Sequence, residues 1–275
     1  MTLATLAEVL GPAKAQGYAV AGLVTLGWED MRAYVAAAEA EGCPVILQAG
    51  PSCRAHTPLR ILGKMFRHLA DEASVPIVAH LDHGYTFDEC KEALDSGFTS
   101  LMFDGSRKPL DENIAETAAI AEMAHKAGIS CEGEIGFVGY DNGEASAGTD
   151  PVEAARFAAE TGVDAMAISV GNVHLQTDQS GGLDGDRIAA IQALTDVPLV
   201  IHGGSGVPAA QRRSLAAGTN ICKFNIGTEL RQAFGHALRN AVNCDPDRFD
   251  RVQILRDTHD PVVAATRTVL RTMKG

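Results

Sequence analysis

The chain has 275 residues, 46% of them hydrophobic and 21% charged, which is enough apolar material for a large core and excludes global disorder. Its 35 acidic residues outnumber 23 basic ones, for a net charge of −12. That balance argues against a nucleic acid or an anionic membrane as partner, because such binding draws on Lys and Arg. A small anionic substrate must then be met locally, by a metal, by backbone N–H groups or by single basic residues.

The chain opens on Met1 to Gln16, which carries Glu8 in its apolar run and lacks a basic leader. It does not read as a signal peptide, and no stretch approaches the ~20 apolar residues of a membrane span. Eight short apolar runs then follow at roughly 25–35-residue intervals, the scale of repeated βα units. They are Tyr18 to Val24, Pro44 to Ala49, Pro76 to His83, Ser100 to Asp104, Ser130 to Phe137, Ala165 to Val170, Pro198 to Gly204 and Ile221 to Gly227. Helical segments lie between them. Trp28 to Glu41 keeps Met31, Tyr34, Val35 and Ala38 on one face, and Phe87 to Ser96 behaves alike. Pro151 to Thr161 has Asp150 as N-cap and Pro151 at the first helical position. Gly42, Gly97, Gly128, Gly162 and Gly218 mark helix ends. A last helix, Asp260 to Lys274, places Val263, Thr266, Val269 and Leu270 on one face, to pack on its own barrel or, as the alternative, on a neighbouring copy. Eight repeats match an α/β (β/α)8 TIM barrel of about 250 residues. No linker divides the chain, so residues 1–275 read as a single domain, with an open doubly wound sheet as the alternative. The six cysteines form no CxxC pair and read as reduced, mostly buried thiols of a cytoplasmic protein.

Three signals carry chemistry. First, histidines recur at separate strand ends: His83 in the run His80-Leu81-Asp82-His83-Gly84, His174 after the sixth strand and His202 after the seventh. A barrel brings those ends to one mouth. Three imidazoles with an open fourth position suit a catalytic zinc or another divalent transition metal, since nitrogen donors disfavour magnesium and calcium. His56, His68, His125, His236 and His259 read as ordinary core or surface residues. Second, Gly203-Gly204-Ser205-Gly206 and Asn225-Ile226-Gly227-Thr228 follow the seventh and eighth strands, the usual phosphate site of this fold. Third, Asp82, Asp104, Glu132 and Glu134 stand at or on strands, with Lys223 as the partner expected for a carboxylate inside the barrel. Glu132 is balanced between a functional role and a structural pair with Lys223. The polar loop Gly136 to Thr149 follows the fifth strand at the active face.

Together these residues resemble the class II, metal-dependent fructose- and tagatose-bisphosphate aldolases, from about Pro44 to Arg231. The resemblance rests on HLDHG (His80 to Gly84), SLMFDGS (Ser100 to Ser106), EGEIG (Glu132 to Gly136), TGVDAMAISVGNVH (Thr161 to His174), HGGSG (His202 to Gly206) and KFNIGTELR (Lys223 to Arg231). It implies reversible aldol cleavage of a phosphorylated ketose to dihydroxyacetone phosphate and an aldehyde. Asp82 would transfer the proton. His83, His174 and His202 would bind zinc, with Asp104 and Glu134 as an alternative ion position. Gly203, Gly204, Ser205 and Asn225, Ile226, Gly227, Thr228 would hold the phosphorylated half, beside a monovalent cation (Na+ or K+). A loop carboxylate, Asp141 or Glu144, would deliver the proton to carbon. The resemblance also implies a homodimer or homotetramer. The chain departs from the family at the substrate end: Val20 to Val24 has no Asn, Ser52 is displaced, Leu175 stands where Gly is usual, and the loop after the fifth strand lacks the Gly-Gly-x-Glu-Asp run. These departures predict aldol chemistry on a changed substrate. The alternatives are a Schiff-base aldolase using Lys223, a different metal-dependent barrel such as a hydrolase, and a non-catalytic metal- or sugar-phosphate-binding relative. The hydrolase lacks support, because no HxH stands on the first strand.

Overall fold

A computed structural model describes residues 2–141, 143–179 and 182–274. Eight parallel strands close into a barrel: β1 (Val20–Val24), β2 (Val45–Ala49), β3 (Ile77–Gly84), β4 (Ser100–Phe103), β5 (Ser130–Ile135), β6 (Ala165–Ile168), β7 (Leu199–Ile201) and β8 (Ile221–Ile226). Each pairs with its sequence neighbours, and β1–β8 closes the ring through Val20 opposite Lys223 and Gly22 opposite Asn225. The eight expected runs are these eight strands, trimmed at most ends, with β3 running one residue further, to Gly84. Asp104 lies one residue beyond β4, and β5 stops at Ile135 rather than Phe137.

Strand alternation sends one set of side chains outward to the helices and the other into the barrel. Inside, Val20, Ile46, Val78, Ala165, Ala167 and Val200 make an apolar floor. Helix α1 (Leu6–Gln16) seals it with Leu6, Val9, Leu10 and Ala13. That helix is started by a capping box, in which Thr5 and Glu8 bond each other's backbone N–H. The N-terminal stretch is therefore a plug under the barrel, a role its sequence does not announce. With the floor filled, only the C-terminal ends of the strands are left to form a mouth.

The outer ring follows in chain order. Helix α2 (Trp28–Glu41) buries Met31, Tyr34, Val35 and Ala38, the face expected of it. Next come α3 (Pro51–His56), α4 (Leu59–Glu72), α5 (Phe87–Asp95), α6 (Leu110–Lys126), α7 (Pro151–Thr161), α8 (Gly185–Gln192), α9 (Ala209–Gly218) and α10 (Thr228–Cys244). Asp150 caps α7 by accepting from Val152 and Glu153 N–H. Gly42 and Gly162 end their helices in the left-handed conformation, whereas Gly218 is the last helical residue of α9 and Thr219 follows as cap. After α11 (Arg251–Arg256), the C-terminal α12 (His259–Met273) returns to its own barrel, where the Met273 carbonyl accepts from Ala19 N–H at 2.9 Å. It buries Val262, Thr266, Val269 and Leu270; Val263, expected in that set, is only half-buried. All six cysteines are free thiols, four of them buried. No helix among the described residues is long and apolar enough to cross a membrane.

Candidate active site

Asp82 and His83 are adjacent, so regular alternation would aim them to opposite faces of β3. The chain breaks that rule locally. The β3–β4 register shifts between Leu81 and Gly84, and His83 adopts φ 54°, the left-handed region that non-glycine residues avoid. Both side chains consequently reach the same cavity. Gly84 follows because there is no room for more. A Cβ there would lie 2.8 Å from Cys90 Sγ and 2.9 Å from the Met102 carbonyl oxygen.

The other two histidines arrive from β6 and β7. After β6, Gly171 turns the chain with φ 99°, and Asn172 folds back to accept from Val170 N–H and donate to the His202 carbonyl at 3.0 Å. One side chain thus fixes the His174 loop to the end of β7. The loop after β5 holds the backbone of His174 itself. His174 N–H donates to the Gly139 carbonyl at 2.8 Å, and Asp141 N–H donates to the His174 carbonyl at 2.9 Å.

The three rings face one another, with centroids 4.7 Å (His83–His202), 5.3 Å (His83–His174) and 5.6 Å (His174–His202) apart. One nitrogen from each lies within 4.8 Å of the others. His83, Asp104 and Glu134 form a second such set. Carboxylates orient the rings, as they do for ligating imidazoles generally. Asp104 Oδ2 sits 2.8 Å from His83 Nδ1, and Glu132 Oε1 sits 3.2 Å from His202 Nε2. The buried His202 Nδ1 and Glu134 Oε2 have no hydrogen-bond partner and stand 3.3 Å apart. Buried polar atoms left unpaired in this way are costly unless a cation takes up their lone pairs, so the side chains fit a divalent ion.

The electrostatics agree. Burial, reinforced by the charge of His83, holds His202 well below the ordinary imidazole range and His174 at about 4. Burial also works against charge on His83, but Asp82, Asp104 and Glu134 outweigh it and push that ring up to about 10. Burial drives Glu134 well above the usual carboxylate range, helped by Asp104. Two of the three rings are thus held neutral, as metal ligands must be, and His83 would release its proton on binding an ion.

Below the trio, Lys223 Nζ meets Glu132 Oε2 at 2.6 Å and His80 Nε2 at 3.3 Å, and all three side chains are fully buried. Glu132 is thereby both the partner of Lys223 and the orienter of His202. Lys223 does not line the cavity, which removes the footing for a Schiff-base role.

The cavity above the trio measures about 340 Å³. A larger groove of about 890 Å³ between α2 and α11–α12 contains none of these side chains. Gly203, Ser205, Asn225, Gly227 and Thr228 line the smaller cavity, as expected; Gly204 and Ile226 are buried behind it. Gly203 is held at φ 63°, and a Cβ there would strike the Val173 carbonyl at 2.1 Å. Ser205 Oγ accepts from Gly227 and Glu229 N–H, both at 3.3 Å, which binds the two loops together, and its hydroxyl also hydrogen-bonds the Glu229 carboxylate. Leu175 also lines the cavity, held at φ 61°. Asp141 and Glu144 are not brought to the trio. Neither lines the cavity, and Glu144 is paired with Arg107 at 2.6 Å on the outside.

Sequence reasoning passed over three residues. Tyr140 is the loop side chain that enters the cavity, stacked 5.0 Å from His174. Arg231 reaches it from the first turn of α10, with its buried Nε unpartnered. It stands four residues after Gly227, a helical spacing that in hindsight marked it. Arg54, on α3, is linked to β3 by spacing that no local pattern reveals.

The chain matches the family model "Fructose-bisphosphate aldolase class-II" over residues 4–275. It belongs to that family. Among curated relatives, the fructose-bisphosphate aldolase of Geobacillus stearothermophilus is 36% identical over 272 residues, covering 96% of this chain and 94% of that protein. The probable fructose-bisphosphate aldolase of Bacillus subtilis (strain 168) is also 36% identical, covering 91% and 90%. The crystal structure of the YdjI aldolase from Escherichia coli K12 superposes with a TM-score of 0.84 at 29% identity, covering 98% of this chain and 97% of that one. This class II aldolase is accordingly a lyase of the metal-dependent type, and zinc is the metal that membership implies. The (β/α)8 expectation and the family resemblance both hold.

Proposed function

We propose that this aldolase cleaves and forms a carbon–carbon bond in a phosphorylated ketose, with dihydroxyacetone phosphate as the ketone half. One observation supports it most: three imidazoles from three strand ends face one point beside the Asp82 carboxylate, under two glycine-rich loops. His83, His174 and His202 would hold zinc, and Asp104 with Glu134 offers a second position for a displaced ion. When bound, zinc supplies a Lewis acid that polarises the ketone and stabilises the electrons released as the bond breaks.

The remaining steps belong to the chain. Asp82 takes the proton from the hydroxyl on the departing aldehyde carbon and returns it in condensation. Its Oδ1 accepts from Asn225 Nδ2 at 3.3 Å, which holds the carboxylate in place, while Oδ2 points past Gly50. The Ser205 hydroxyl, the Gly203–Ser205 and Asn225–Thr228 backbone and the N-terminus of α10 receive the phosphate. Arg231 adds a full positive charge from the same turn, and a monovalent cation, Na+ or K+, completes the anion site. For Asp141 or Glu144 to protonate the carbon, the loop would have to turn inward.

We further propose that the aldehyde half differs from that of fructose or tagatose 1,6-bisphosphate, because the chain departs from the family at Val20 to Val24, Ser52, Leu175 and the loop after β5, and Val24, Ser52 and Leu175 line the cavity. A homodimer or homotetramer in solution completes the reading. Chelation should abolish turnover and Zn²⁺ should restore it. A screen of aldehydes with dihydroxyacetone phosphate and with unphosphorylated dihydroxyacetone identifies the acceptor. Persistent activity in a metal-free preparation refutes the mechanism, whereas ordinary rates on either 1,6-bisphosphate refute only the changed substrate.

A further inference from the structure

We infer that Arg54 is a positioning residue, clamping the backbone bend that lets Asp82 and His83 face the same cavity. The inference rests on the reading of those two residues as the proton-transfer and metal-binding pair.

The bend needs a restraint. His83 at φ 54° is in a conformation that costs roughly 1–3 kcal/mol and persists only where its surroundings impose it. At the shifted register between Leu81 and Gly84, the β3–β4 ladder cannot impose it alone. Arg54 supplies what is missing from the other side. Its Nη1 donates to the Asp82 carbonyl at 2.8 Å and to the Ala49 carbonyl at 3.3 Å, and its Nη2 donates to the His83 carbonyl. Its Nε donates to Glu89 Oε1 at 2.5 Å. The other Glu89 oxygen accepts from Tyr85 N–H at 2.8 Å, so the same ion pair grips the chain on the far side of Gly84.

A planar guanidinium suits this task and an ammonium does not. Its donors diverge in one plane and reach four acceptors at once, whereas Lys offers a single point charge. The Arg54 side chain is 8% exposed, so its hydrogen bonds are shielded from competing water. Arg54 also sits on α3, whose N-cap Gly50 and first residues Pro51 and Ser52 line the cavity. The clamp therefore makes the substrate-facing end of β2 and the reacting end of β3 one rigid piece. Arg54 touches neither metal nor substrate; it acts through the carbonyls of the residues that do.

The test compares wild type with Arg54→Met and Arg54→Lys. Zinc affinity is read by competition with a chelator, the visible spectrum by cobalt substitution, and turnover per bound zinc with dihydroxyacetone phosphate and the acceptor that serves wild type best. Arg54→Met should weaken zinc by about 10–100-fold, the usual penalty for losing a ligand-orienting partner. It should lower kcat per bound zinc by about 100-fold, the scale of a 1 Å misplacement, with KM within about threefold. The cobalt bands should shift, because the His83 ring changes its angle. Arg54→Lys keeps the charge beside Glu89, so it should recover stability without recovering kcat or the spectrum. If Arg54→Met does not fold, Arg54→Lys decides alone. Wild-type kcat per zinc and an unchanged cobalt spectrum in the folded variant would overturn the inference, even if its melting temperature falls. A wild-type protein that binds no zinc defeats the underlying reading instead, and the inference with it.

Discussion

His202 is fully buried with both ring nitrogens facing carboxylates, whereas Leu175, one residue beyond His174, stands 46% exposed at the rim of the same cavity. The contrast extends to each set. Asp82, His83 and His202 are fastened by Asn225, Asp104, Glu132 and the backbone. Leu175, Tyr140 and Thr228 sit on loops or at a helix start, where side chains change without disturbing the core. On the function proposed above, the inner set would fix the reaction type and the outer set the substrate. The two sets share a mouth and meet at His174, whose backbone is held by the loop that carries Tyr140; elsewhere their supports are separate.

Substitutions sharpen or break this division. The largest effect is expected from His202→Ala: zinc content should fall far below one per chain, with activity at background, as metal analysis and turnover will show. Asp82→Asn should keep its zinc yet lose about 10²–10⁴-fold in kcat, the worth of a placed proton-transfer group. Equal loss of metal in that variant would mean that Asp82 belongs to ion binding instead. Lys223→Met strips Glu132 of its buried partner and should destabilise the fold by about 3–5 kcal/mol in denaturant unfolding. Arg231→Met tests the outer set. It should raise KM for the phosphorylated ketone about tenfold, near the value of one charge-assisted hydrogen bond, and change kcat less. The smallest effect is assigned to Asp141→Asn and Glu144→Gln. Each should leave kcat within about threefold, since exposed charges outside the cavity contribute little. A hundredfold loss from either would show that the loop closes over substrate and that the outer set reaches into the chemistry.

Much of this was legible beforehand. Eight apolar runs spaced by amphipathic helices specify a barrel, because period and length reflect the backbone itself. His83, His174 and His202 were recognisable as a set because each lies at or shortly after a strand's C-terminal end, and closure sends all such ends to one place. Glu132 and Lys223 were expected as a pair because an unpaired charge inside a barrel is prohibitive. Other features had no linear signal. Nothing local marks residues 6–16 as a plug, since α1 looks like any surface helix until Leu6 and Leu10 meet Val78 and Val200.

Residue order alone thus determined the elements, their succession around the barrel and the candidate set of three histidines and Asp82 that the barrel brings together. Only the tertiary structure decided that the β3 bend turns His83 toward the side of Asp82, that Arg54 reaches across to hold it, and that Arg231 and Tyr140 enter the cavity while Asp141 and Glu144 do not. Periodicity is a property of neighbours along the chain and survives in the letters. A bend, a clamp and a cavity wall depend on groups tens of residues apart meeting at hydrogen-bond distance, and that meeting exists only after the barrel closes.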